Sequence, residues 1–177
     1  MMDVLYKAII SDELRQDILE YYSVNSNLPY VSGSSVFPCR RRLDNISTSL
    51  EQRLVHELTV TLSGYFTEFS ADPRNIRIYE SHYGIVKPHV DVAVYPEDTH
   101  TCIIYLTDTF DGGVLTVKTK RDQAHILSHG EEHKKYLCVT PEPRETYGIL
   151  FQKGVIHYTD ELLGGRKVIL LIDCRCT

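Results

Sequence analysis

His89-Val90-Asp91 places an imidazole and a carboxylate two residues apart. On an extended backbone, residues i and i+2 face the same way, so the two side chains can grip one ion together. Two ligands leave such an ion poorly held. Two histidines and one carboxylate on one face of an octahedron hold it and still leave three positions open for reactants. His157, 66 residues beyond Asp91, is the distant third ligand that this chemistry requires. On spacing alone, a surface histidine beside Pro88 and a loop histidine would be the simpler readings. The surrounding sequence reverses that preference.

The elements that must position these residues can be read from apolar periodicity. Val4–Ile10 reads as a short strand. Ser11 can cap a helix running to about Tyr22, with Leu14, Ile18 and Leu19 at helical spacing. Residues 23–45 are rich in Ser, Asn, Gly and Pro and read as an extended loop, and the basic run Arg40-Arg41-Arg42 as its solvated surface. A second helix begins near Ser47, where Thr48 and Glu51 have capping-box spacing, and carries Leu50, Leu54, Val55, Leu58 and Leu62 on one face as far as Tyr65. Beyond Asp72-Pro73 the pattern changes to short strands at Asn75–Ser81, Thr99–Thr107, Val114–Thr119, Lys134–Thr140, Thr146–Gln152 and Lys167–Asp173. Turn signals separate them, among them Asp111-Gly112-Gly113, Pro141-Glu142-Pro143 and Gly164-Gly165. Helices followed by many short strands imply a jelly roll with N-terminal helices packed on one sheet. Facing strands of that architecture can return His157 to the side of His89 and Asp91.

Four stretches carry a more specific signal: YESHYGIVKPHVDV from Tyr79, CIIYLTDTFDGGVLTV from Cys102, VTPEPRETYGILF from Val139 and HYTDELLGGRKVILL from His157. In this order and at these gaps they resemble the prolyl 4-hydroxylase-like branch of the iron(II)- and 2-oxoglutarate-dependent oxygenases. The resemblance covers more than half of the chain. It implies a double-stranded β-helix, the jelly-roll form of that family, with helices on the larger sheet. It implies that His89, Asp91 and His157 bind iron(II), and that 2-oxoglutarate is the co-substrate and dioxygen the oxidant, with ascorbate as an accessory reductant. The family also places a cation on a strand shortly after the second histidine, to hold the far carboxylate of 2-oxoglutarate. Arg166 and Lys167, nine and ten residues beyond His157, compete for that role and point to opposite faces. The Gly165-x-Lys167 pattern favours Lys167. Tyr79, Ile103, Tyr105 and Leu115 fall where the family lines the co-substrate pocket, although Tyr is common in strands and this chain has 12.

Two departures bear on substrate. The chain has no Trp, whereas prolyl hydroxylases often carry an aromatic near the end of the cation-bearing strand, which here reads Ile172-Asp173-Cys174. Ile169 and Leu171 replace the hydroxyl residues common after the cation. The reaction implied is hydroxylation of an unactivated C–H bond coupled to decarboxylation of 2-oxoglutarate to succinate. A protein or peptide is the expected substrate, with proline the first residue to test. A free amino acid or other small molecule is the alternative, and a catalytically silent binding protein on the same fold is a further one.

Composition narrows the remaining classes. The 177 residues, 42% hydrophobic and 24% charged, suit one soluble oxygenase domain, with residues 1–72 as helical support and loops and 73–177 as the jelly-roll core. The net charge of −5 argues against a nucleic-acid partner. So does Ile172, six residues beyond Arg166, where nucleic-acid demethylases of the superfamily carry a second Arg. No apolar run is long enough to span a bilayer, and the first residues lack a secretory pattern. Five cysteines without zinc-module spacing read as reduced thiols, and a cytoplasmic protein with no membrane partner is expected. His125, His129 and His133 could form a zinc stripe on a helix, but Gly130 interrupts it. Residues 118–135 read better as a surface loop inserted between two strands.

Overall fold

The computed structural model describes residues 5–26, 41–91, 93, 95–120, 130–133, 136–139 and 146–177; for 119, 120, 130–133 and 136–139 it describes the backbone. Cys39, Arg40, His125, His129 and the Pro141-Glu142-Pro143 turn lie outside these residues.

Six strands form the larger sheet, in the order β1 (Leu5–Ile9), β9 (Tyr147–Gln152), β4 (His100–Tyr105), β12 (Lys167–Cys176), β3 (Phe69–Ser81) and β2 (Arg41–Asp44), with every neighbouring pair antiparallel. A second sheet runs β10 (His157–Thr159), β6 (Leu115–Lys120), β8 (Tyr136–Val139) and β7 (Gly130–His133). A two-stranded ribbon pairs β11 (Leu162–Gly165) with β5 (Phe110–Gly112). This mainly β architecture is the expected jelly roll. Two helices, α1 (Asp12–Asn25) and α2 (Thr48–Leu62), accompany it among the described residues.

The inner strands β4, β9 and β12 of the larger sheet are apolar on both faces because both are covered. One face packs against the helices: Ile76 and Ile78 of β3, Cys102 and Ile104 of β4, and Val168, Leu170 and Ile172 of β12 meet Leu14 and Ile18 of α1 and Leu54, Leu58 and Leu62 of α2. The opposite face looks into the barrel, where Ile103, Tyr105, Ile149 and Phe151 meet Leu115 and Val117 of β6, with Ile169 and Leu171 alongside. The period-2 alternation therefore sorts β12 cleanly. Lys167, Ile169, Leu171 and Asp173 take the barrel side while Val168, Leu170 and Ile172 take the helix side.

Several expectations are corrected in detail. Ser47, and not Thr48, caps α2, its hydroxyl accepting from the Leu50 amide at 3.4 Å. Ser11 caps α1 as expected, accepting from Leu14 at 3.2 Å. Asp72-Pro73 does not precede the third strand but sits within it. The pairing with β12 passes from Ile76 opposite Ile172 to Ala71 opposite Cys174, and this register shift absorbs the proline. Arg41–Asp44, expected as loop, forms an edge strand on β3. Its polar composition hid it, because an edge strand needs few apolar side chains. Within the expected surface insertion, residues 130–133 form strand β7, paired with β8. No helix among the described residues is long and apolar enough to cross a membrane.

Candidate metal centre and its cavity

His89 and His157 come together through the backbone before their side chains meet. They form an isolated antiparallel bridge, with the His89 amide donating to the His157 carbonyl at 3.1 Å and the reverse bond at 2.9 Å. Directly opposed antiparallel residues project to the same face, so both imidazoles stand side by side, with centroids 4.2 Å apart. Asp91, two residues after His89, projects to that face as well.

Tautomers follow from the hydrogen bonds. His89 Nδ1 lies 2.8 Å from the Lys87 carbonyl and His157 Nδ1 lies 3.1 Å from the Val155 carbonyl. A carbonyl only accepts, so each Nδ1 carries the proton and each Nε2 lone pair is left for a ligand bond. His89 Nε2 lies 3.7 Å from Asp91 Oδ1, and His157 Nε2 lies 3.5 Å from Asp91 Oδ2. The Thr101 hydroxyl orients that carboxylate, donating to Oδ2 at 2.9 Å. One atom from each of the three residues falls within a mutual spacing of 4.8 Å. An ion bound at roughly 2.1 Å by cis ligands draws them to about 3 Å from one another. The set needs only a small contraction to close on a metal, and its donors suit a divalent transition ion. Burial pushes the pKa of His157 down, with Asp91 pulling it back up, and the neutral ring is the form that ligates.

The triad opens on a cavity of about 260 Å³. Tyr79, Ile103, Tyr105, Leu115 and Lys167 all line it, as do Ile169 and Leu171. Lys167 is 8% exposed; its ammonium donates to the Gly113 carbonyl and lies 5.8 Å and 5.6 Å from the Tyr105 and Phe110 ring centroids. Burial holds its pKa down at about 8, with Asp160 opposing that shift. Arg166 goes elsewhere. Its guanidinium binds Glu80 Oε2 at 3.0 and 2.9 Å, outside the residues lining the cavity, and its side chain is 46% exposed. Lys167 thus sits at one end of the cavity. Along β10 and β6 the His157–Val117 pair is followed by Thr159–Leu115, and Gly113 lies just beyond. At the usual strand rise, the four residues from Val117 to Gly113 span at most roughly 13 Å.

The other end holds residues that the sequence reading passed over. Arg77 of β3 and Lys153, just after β9, both contact the buried carboxylate of Asp173 on β12, and all three line the cavity. Arg42 lines it too, its guanidinium 5.8 Å from the Tyr79 ring and 2.5 Å from Asp44, so this part of the basic run is not simply solvated surface. The available signal was alternation: Arg77 precedes Tyr79 by two, and Asp173 follows Leu171 by two.

No protein-family model and no curated sequence matches the chain. Solved structures do. A prolyl 4-hydroxylase from Pseudomonas putida aligns with TM-score 0.63 at 12% identity, covering 98% of this chain and 92% of that one. The viral collagen prolyl hydroxylase of Paramecium Bursaria Chlorella virus-1, solved with 2-oxoglutarate, aligns with TM-score 0.62 at 11% identity, over 98% and 96%. The epimerase SnoN, solved with Fe3+, alpha-ketoglutarate and nogalamycin RO, aligns with TM-score 0.67 at 12% identity, over 98% and 79%. The fold is that of the 2-oxoglutarate-dependent iron oxygenases. Likeness at such identity establishes the fold alone, and these oxygenase-fold proteins include two prolyl hydroxylases and an epimerase.

Proposed function

We propose that the protein is an iron(II)- and 2-oxoglutarate-dependent oxygenase that hydroxylates an unactivated C–H bond. One observation carries this reading: the ligand atoms of His89, Asp91 and His157 converge on one wall of a cavity that has the buried ammonium of Lys167 at its end. Iron(II), held by the three side chains, would supply the activation of dioxygen. The chain's own residues do the rest. The Lys87 and Val155 carbonyls and the Thr101 hydroxyl fix the orientation of the ligands. Lys167 pairs with the far carboxylate of 2-oxoglutarate, exchanging its bond to the Gly113 carbonyl for a charge-assisted one. Tyr79, Ile103, Tyr105 and Leu115 wall off water from the reacting groups.

Anaerobic titration with iron(II) and then 2-oxoglutarate tests the reading. A visible charge-transfer band should appear, and admitting oxygen should yield succinate. A protein that binds both and forms no succinate above a metal-free control would be a binding module. For substrate, peptidyl proline is the first choice, on the motif resemblance and the fold shared with prolyl hydroxylases. A small molecule is the second, favoured by Asp173 and its two cations at the cavity end where an aromatic residue was expected. A mass gain of one oxygen in either screen identifies the class.

A further inference from the structure

Resting on the reading above, we infer that the end of the cavity opposite Lys167 is a carboxylate-recognition site, and that the substrate presents an anionic group to Arg77 and Lys153. Both cations approach the same side of the metal centre. Asp173 lies opposite Thr101 in the β12–β4 register, and the Thr101 hydroxyl is bonded to Asp91. The Lys153 amide is tied to the Thr99 carbonyl at 2.9 Å, two residues from Thr101. A group bound there would lie next to the metal, at the end opposite Lys167.

Among the residues that line the cavity, cations exceed carboxylates. Iron(II) with Asp91 leaves one positive charge, and 2-oxoglutarate with Lys167 leaves one negative, so these four cancel. The wall then retains Arg77, Lys153 and Arg42 against Asp173. Two further carboxylates face this group from outside the cavity lining: Asp98 lies behind Asp173, bonded to Asn75 at 3.0 Å, and Asp44 sits on the exposed side of Arg42. Asp173 is 2% exposed and engages both Arg77 and Lys153. It therefore preorganises the two cations rather than offering itself to a ligand. A guanidinium has five donors and an ammonium three, so each keeps donors beyond its bond to Asp173. A planar carboxylate suits the guanidinium fork. It could come from a free acid or from an acidic residue of a peptide.

The test uses the full chain loaded with one equivalent of Mn(II) and saturating N-oxalylglycine, which chelates but is not oxidised. Paramagnetic broadening of ligand proton lines is read for two sets of probes. One set is free amino acids and acetylated Asp- and Glu-containing tripeptides; the other is their primary amides. Acids should broaden at concentrations at least about tenfold lower than amides. Whether the free acids or the peptides respond identifies the source of the carboxylate. Arg77→Gln should erase the difference and Asp173→Asn should widen it, two opposite shifts that general loosening of the fold cannot produce. Equal broadening by acids and amides, no broadening by any acid, or the same preference in both variants overturns the inference. Failure of Mn(II) and N-oxalylglycine to bind the wild-type chain would instead bring down the oxygenase reading, and this inference with it.

Discussion

At the scale of single residues, the proposed site separates groups that would hold a metal from groups that would hold an anion. Replacing His157 or Asp91 by Ala should each abolish tight metal binding, because two remaining ligands cannot enclose the ion. Calorimetric titration with Mn(II) checks this, and an unchanged affinity in a folded His157→Ala protein would remove that residue from the centre. Lys167→Met should weaken 2-oxoglutarate binding roughly 10–100-fold, the worth of a charge-assisted hydrogen bond in a buried site. Arg166→Met should change it little, since that guanidinium is engaged with Glu80. The depressed pKa of Lys167, about 8, adds a pH signature. As pH rises from about 8 towards the ordinary lysine value, the empty protein has released this proton while the unfolded chain retains it. The group's contribution to stability therefore rises with pH in that window. Binding a carboxylate raises the pKa, so 2-oxoglutarate should bring proton uptake near pH 9 and almost none near pH 6. Calorimetry in buffers of different ionisation enthalpy measures the difference, and Lys167→Met should abolish it.

Among the elements, one close approach in the larger sheet requires a glycine. A Cβ at Gly148 of β9 would lie 2.0 Å from the Ile103 carbonyl oxygen and 2.7 Å from the Ile104 Cα. Both are backbone atoms of β4, so the strands must part to accommodate it. Gly148→Ala is expected to lower thermal stability by several degrees and to displace Ile103 and Tyr105 from the cavity wall. Gly164→Ala, with open space around the added carbon, serves as the control and should be nearly neutral. Similar melting temperatures for the two variants would show that the sheet yields more readily than its packing implies. The same element scale explains the irregular β3. The bulge around Pro73 lies beside Asn75 and Arg77 and opposite Asp173, where strand pairing gives way to side-chain ion pairs.

Across the whole molecule, the larger sheet divides two apolar clusters with different tasks. Leu58 belongs to the helix-side cluster and is fully buried. Leu58→Ala should cost about 2–5 kcal/mol of stability while leaving metal affinity nearly intact, because no metal ligand belongs to that layer. On the proposed reading, a metal would act on the other side, tying together chain segments that lie far apart in sequence. At 100 times its dissociation constant, Mn(II) should stabilise the fold by about 2.7 kcal/mol. A chelator should reverse the rise in melting temperature, and His157→Ala should show none.

Much of this was legible in the residues themselves. Helical spacing in α1 and α2, the order of helices before strands, and the shared face of His89 and Asp91 depend on local periodicity, which a sequence displays directly; His157 joined them through the family resemblance. Alternation also separated Arg166 from Lys167, because neighbouring strand residues cannot face the same way. Tertiary structure alone decided the rest. Arg42, Arg77, Lys153 and Asp173 come from four separate parts of the chain, and no local pattern marks them as neighbours. Strand β2 is polar and short, and only its pairing to β3 makes it a strand. The bridge between His89 and His157 is a long-range backbone contact, formed because two sheets close over one cavity. Periodicity dictates which way a side chain points, and the packing of whole sheets dictates what it meets there.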